Sequence, residues 1–163
     1  MIPSRRLIAV ALLTLPAFAQ AASTTTTFNV TATVIDVCAV SAGNLGFGTY
    51  NPISGSALDA TSTITVTCTL GTPYHVQLSA GANGGGVTTR KMLRTAGGSE
   101  TLDYSLYRNA GRTQNWGETD NTDTVDQSGT GVSQSVTVYG RIPASTNVPP
   151  ASYSDTVTVT ISY

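Results

Sequence analysis

The chain is poor in charge: only 10% of its 163 residues are Asp, Glu, Lys or Arg, and no basic run occurs. Nucleic-acid binding leaves a footprint of clustered Lys and Arg, so nucleic acid is excluded as a partner. Histidine occurs once, at His75, and tryptophan once, at Trp116. A single histidine cannot supply a histidine-rich metal centre. Cysteine occurs twice, at Cys38 and Cys68, without C-x-x-C spacing. That spacing argues against a redox pair. Beyond Leu15 no apolar run approaches the roughly 20 residues of a membrane helix. No stretch has helical periodicity, and no internal repeat is found.

What is present begins with an export signal. Arg5 and Arg6 precede the apolar run Leu7 to Leu15, Pro16 interrupts it, and Ala19-Gln20-Ala21 supplies small-x-small cleavage residues. The expected signal peptide is 1–21, with the mature chain starting at Ala22 and travelling through the periplasm to the cell surface or medium. Its removal takes two arginines and makes the formal charge of −1 more negative. The remainder has the length of one domain. In an exported chain, two cysteines read as a disulfide. The loop between Cys38 and Cys68 is worth about 3 to 4 kcal/mol in the chain-entropy model.

Thr, Ser, Gly and Val dominate the mature sequence, a composition of strands and turns. Alternation predicts strands over 61–70 (Ile64, Val66, Cys68 inward), 74–79 (Tyr74, Val76, Leu78), 90–94, 102–108 (Leu102, Tyr104, Leu106 inward, Asp103 and Ser105 outward) and 134–142 (Val136, Val138). Residues 109–130 read as polar and irregular. Short strands between turn signals predict a β-sandwich.

Two alternating runs stand at the ends. Residues 155–163 place Val157, Val159, Ile161 and Tyr163 on one face against Thr156, Thr158, Thr160 and Ser162, within a predicted closing strand 152–163. Residues 28–40 form one long strand or two. Their apolar phase shifts from Phe28, Val30, Ala32 and Val34 to Ile35, Val37 and Ala39. An unprotected apolar edge invites a strand from another chain. One end wants a neighbour and the other has a strand to spare, as in a subunit that lends its N-terminal strand to the next copy.

Catalysis finds no support: His75 sits in an alternating strand with no triad signature beside it. Glu118, Asp120, Asp123 and Asp126 miss the EF-hand spacing and read as a solvated acidic loop. No cofactor is implied. The rival reading is a secreted carbohydrate-binding sandwich using Tyr104, Tyr107, Trp116 and Tyr139. Tyr104 shares the inward phase of Leu102 and Leu106, while Tyr107 and Trp116 stay open.

Several segments carry a family pattern: Phe28-Asn-Val-Thr-Ala-Thr-Val34 leading to Cys38, Leu45-Gly-Phe-Gly-Thr-Tyr50, Ile64-Thr-Val-Thr-Cys68, Tyr104-Ser-Leu-Tyr107, Trp116-Gly117, Val138-Tyr-Gly-Arg-Ile-Pro143 and 152–161. In order over nearly the whole mature chain, they resemble the spore coat protein U domain, a secreted pilin family that includes the major subunit of Csu-type archaic chaperone–usher pili. One departure is Pro149-Pro150-Ala151, where the family usually has glycine before Ser-Tyr. The resemblance implies an all-β, incomplete immunoglobulin-like β-sandwich completed by a donated strand. It implies a periplasmic chaperone, an outer-membrane usher and neighbouring copies or related pilins as partners. It also implies a structural role in surface attachment and biofilm formation, with a spore or cell coat protein as the alternative. The expected organisation is a donor strand at 22–36 (Phe28, Val30, Ala32, Val34 as plugs) and a sandwich at 37–163. Val157, Val159 and Ile161 are expected to line the acceptor groove.

Overall fold

In the computed structural model residues 20–163 are described; the basic and apolar parts of the expected export signal lie outside them. The chain divides into two units, Met1–Thr33 and Val34–Tyr163. In the first, residues 20–33 form no strand, Ala32 is exposed, and Phe28 and Val30 keep 85% and 83% of their surface. The second unit contains all ten described strands.

These are β1 (Cys38–Ala42), β2 (Leu58–Cys68), β3 (Pro73–Leu78), β4 (Gly85–Gly86), β5 (Thr89–Arg94), β6 (Thr101–Tyr107), β7 (Val125–Ser128), β8 (Gln134–Ile142), β9 (Tyr153–Ser154) and β10 (Val159–Ser162). One sheet runs β1-β2-β8-β6-β5-β4, with β9 also on β5; the other runs β10-β3-β7. Every pairing is antiparallel. The fold is all-β and immunoglobulin-like.

Alternation puts Ile64, Val66 and Cys68 of β2 and Val136 and Val138 of β8 on the inner face of the large sheet. Tyr74, Val76 and Leu78 of β3 meet them from the small one. Trp116 is fully buried, and its Nε1–H donates to the Val76 carbonyl at 2.7 Å. The indole therefore belongs to the core. Ser105, read as outward, is also buried and donates to the Thr88 carbonyl at 2.8 Å. On a strand covered on both faces, alternation does not mark the outside. The 109–130 segment holds one strand, β7, which polar residues had concealed.

Gly140 lies on the inner face of β8, opposite Leu106 of β6. A Cβ there would come within 2.9 Å of Phe47 and 3.0 Å of Leu45. The missing side chain is thus the space into which the 43–57 loop inserts these two residues. Phe47 then meets Tyr104 edge-on, with ring centroids 6.2 Å apart.

Two expected strands differ. Of 28–40, only the part from Cys38 onward is strand, because only there does a partner supply a ladder. Inside β1 the inward phase is Cys38, Val40 and Ala42, opposite Cys68, Val66 and Ile64, so Ala39 points outward. The closing strand 152–163 is broken. Tyr153–Ser154 pairs with β5, whereas Val159–Ser162 pairs with β3. The segment leaves one sheet for the other.

Candidate functional site: an open groove between two sheet edges

Among the described residues no strand pairs with the outer edge of β1 or of β10. These edges bound a cleft of about 440 Å³ floored by Ile64, Leu78, Leu106 and Val138, with Val157 and Val159 on one side and Ala42 on the other. The two edges approach within 8 Å between Cα atoms. A strand bonded to both needs two spacings of about 4.8 Å, so an inserted strand must part them. Val40 is 42% exposed although it points inward.

Val157, Val159 and Ile161 are half-buried, in one unbroken inner phase with Tyr153 and Asp155. Asp155 is the polar member of that row and sits where the segment changes sheets. Its carboxylate accepts from Tyr104 Oη–H (2.6 Å), the Ala82 amide (2.9 Å), Asn83 Nδ2–H (2.9 Å) and the Thr156 amide (2.8 Å). Four donors make an inward carboxylate tolerable. Burial first, and the Asp155 bond second, push the Tyr104 hydroxyl's pKa up, so it remains a donor at all ordinary pH.

Arg90 is wholly buried beneath this site. Its guanidinium donates to the carbonyls of Ser79 (2.8 Å), Val87 (2.7 Å), Leu78 (3.0 Å) and Trp116 (2.7 Å). Burial lowers its pKa, and the nearby Tyr104 and Asp155 oppose that shift. Leu78 and Ser79 close β3 where β10 begins: the Ser79 amide donates to Thr158 O and the Thr158 amide to Ser79 Oγ. Arg90 therefore holds the corner on which the groove is built. Alternation does not reveal Arg90 or Asp155, since both are charged residues in inward positions.

The disulfide is Cys38–Cys68, joining directly opposed residues of β1 and β2. It ties the edge strand β1 to the sheet. The donor candidates Phe28, Val30, Ala32 and Val34 are all exposed and outside any strand. His75 is bound to Asp126 at 2.7 Å. In the acidic loop, Asp123 caps the Thr119 amide and Asp120 accepts from Gln77. Tyr107 is half-buried.

The architecture defines a class: an immunoglobulin-like β-sandwich with an open, apolar-floored groove between unpaired edges of its two sheets. The chain belongs to the Spore Coat Protein U domain family, which it matches over residues 24–160. It is 34% identical over 158 residues to Protein U of Myxococcus xanthus, covering 89% of this chain and 88% of that protein. Among solved structures it is similar to the CsuC–CsuE chaperone–tip adhesion subunit pre-assembly complex from archaic chaperone–usher Csu pili of Acinetobacter baumannii. There the TM-score is 0.59 and identity 24%, over 80% of this chain but only 40% of that one. A second, HdaB, the E. coli Hda pilus minor tip subunit, gives a TM-score of 0.43 and 17% identity over 76% of this chain and 79% of its own.

Proposed function

We propose that this chain is a structural subunit of an archaic chaperone–usher pilus and polymerises by donating its N-terminal strand. The observation that carries the reading is the groove: two unpaired sheet edges over an apolar floor. A strand laid there pairs through main-chain hydrogen bonds and sends alternate side chains to the floor. Residues 22–36 offer such a strand, with Phe28, Val30, Ala32 and Val34 as the plugs and the intervening Asn29, Thr31 and Thr33 left outside. Val157 and Val159 line its acceptor side; Ile161 continues their inner phase but lies outside the groove lining. The contact is head-to-tail, so it propagates into a fibre. A periplasmic chaperone covers the groove before assembly, an outer-membrane usher exchanges it for the next subunit, and the fibre serves surface attachment and biofilm formation. The role is structural, with no chemistry. A carbohydrate-binding module fits less well, because Trp116 is in the core and offers no exposed platform.

The test replaces Val30 or Val34 with Asp, and separately Thr31 with Asp, and measures sheared-surface fibre yield by blot. The first two place a carboxylate on the apolar floor and abolish polymer, while Thr31→Asp is mild. Equal assembly of all three variants refutes this donor register.

A further inference from the structure

Asn83 is followed by Gly84, and every other asparagine in the chain precedes a residue with a side chain. The pair sits in the turn between β3 and β4, where Gly81, Gly84, Gly85 and Gly86 leave the backbone almost bare. Gly84 is exposed, its φ is +82°, and a Cβ placed on it would meet nothing within 4 Å. Among the described residues the Gly84 amide bonds to no acceptor. Its nitrogen is therefore uncrowded and uncommitted.

The Asn83 side chain, by contrast, is a tether. Its Nδ2–H group donates to Ser154 O at 3.0 Å and to the Asp155 carboxylate at 2.9 Å. Both acceptors belong to the segment that leaves β5 for β3. The turn is pressed against that segment: the Ala82 amide also donates to Asp155, and a Cβ at Gly81 would strike the Asp155 carboxylate. Ser154, Asp155, Val157 and Val159 line one cleft. One side-chain amide thus ties down a wall of the groove while standing next in sequence to a free backbone nitrogen.

We propose that Asn83 is a self-modification site, converted to aspartate and isoaspartate through the Gly84 nitrogen with water as the only co-reactant, and that the conversion releases the Asp155 corner beside the groove. Asparagine is a thermolabile residue, and glycine lets the backbone approach closely where a side chain would obstruct it. The Gly84 nitrogen gives its proton to solvent and attacks the Asn83 side-chain carbonyl carbon. A carbon–nitrogen bond forms, the bond from that carbon to Nδ2 breaks, and Nδ2 leaves as ammonia. Water then opens the five-membered imide. Attack at the side-chain carbonyl gives aspartate; attack at the main-chain carbonyl gives isoaspartate, whose backbone runs through the former side chain. Nothing is oxidised or reduced. In the aspartate product an ionised carboxylate, which only accepts, replaces the donor. It faces Ser154 O and the like-charged Asp155, so two attractions become repulsions. The isoaspartate product also lengthens the main chain by a methylene just ahead of β4.

Full-length exported protein is held in mildly alkaline heavy-oxygen water, digested and mapped by mass spectrometry. Asn83 is expected to take up solvent oxygen before any other asparagine, as a mixture of aspartate and isoaspartate. An Asn83 still amidated when another asparagine has reacted overturns the site. Mapping needs no variant, so it decides the site even if a substituted chain does not fold. Asn83→Asp supplies one product directly. Its melting temperature is expected to fall by about 3 °C or more, the loss of a hydrogen bond to a charged group. Asn83→Gln keeps an amide but closes the ring poorly, so its melt holds through the incubation while that of wild type drifts down toward Asn83→Asp. An Asn83→Asp melt equal to wild type, or an Asn83→Gln melt that decays as fast as wild type, overturns the release of the corner.

Discussion

Replacing Arg90 with methionine keeps an unbranched stem but removes all four hydrogen bonds to the carbonyls of Leu78, Ser79, Val87 and Trp116. A hydrogen bond from a charged donor is worth about 1.5 to 3 kcal/mol net. Simple addition overshoots, because the four share one guanidinium whose own burial is costly. Removing one partner of a buried charged network costs about 3 to 5 kcal/mol, and that is the expected loss. It is a large part of the roughly 5 to 15 kcal/mol that holds a domain folded. At about 2 to 4 °C per kcal/mol for a chain of this size, the melting temperature falls by about 6 to 20 °C. Arg90→Lys keeps the charge but not the planar fork, and is expected to lose about half as much. The assay is thermal unfolding of assembled wild-type and variant protein by circular dichroism. A fall of less than about 3 °C for Arg90→Met, roughly 1 kcal/mol, refutes the claim that this guanidinium holds the β3–β10 corner.

Tyr104→Phe removes the hydroxyl that donates to Asp155; about 1.5 to 3 kcal/mol should be lost in denaturant titration. Gly140→Ala places a methyl group against Phe47 and Leu45; overpacking costs about 1 to 3 kcal/mol, and a melt unchanged from wild type counts against a close-packed loop. Reducing the Cys38–Cys68 bond is expected to cost about 3 to 4 kcal/mol for a loop of this length, and thiol labelling of native, unreduced protein should find no free thiol. The Asp59 carboxyl lies below its ordinary pKa through its Arg141 bond, against burial, with Arg112 adding to the effect. For Asp126 burial, the largest influence, pushes upward, yet Thr124, His75 and Arg108 together hold it below. Depressed carboxylates add stability above the unfolded Asp value of about 3.9 and lose it as pH falls through the folded value. Acid titration of Asp59→Asn and Asp126→Asn should therefore show a shallower loss of stability than wild type below about pH 4.

How much of this was legible in the sequence follows from what alternation measures. It marks side chains by face, so β2, β3, β6 and β8, each with one apolar inner row, can be read directly. It carries no information about pairing partners. Phe28 to Val34 and Val157 to Ile161 alternate equally well, yet only the second contains a strand in the described chain. Nor does it separate an aromatic that could bind from one that packs: Trp116 entered the core through a hydrogen bond to Val76. Polar β7 and two-residue β4 are too hydrophilic or too short for a periodic signal, and β9 reads only as part of one continuous closing strand. Leu45 to Tyr50 and Val138 to Pro143 could be read as pattern. That they form one packing unit, through the space above Gly140, is a tertiary contact that alternation does not encode.

The groove itself follows from one segment serving two sheets. Residues 153–161 hold a single inner phase, which satisfies the core, but their main chain pairs with β5 first and β3 afterwards. A strand that stayed on β5 would have lengthened the large sheet and left β3 bare. By crossing, it covers β3 and brings its own outer edge opposite β1 across the cleft. The crossing leaves residues 155–158 outside any strand, so their polar groups need other partners. Asp155 takes the Thr156 amide and Ser79 takes both the amide and the carbonyl of Thr158, while the Asp155 carboxylate is fixed in place by the Ala82 amide, Tyr104 and Asn83. The apolar residues around it decide that the segment is buried; the one inward carboxylate, with its four donors, sets where the segment changes sheets and hence where the sandwich stands open.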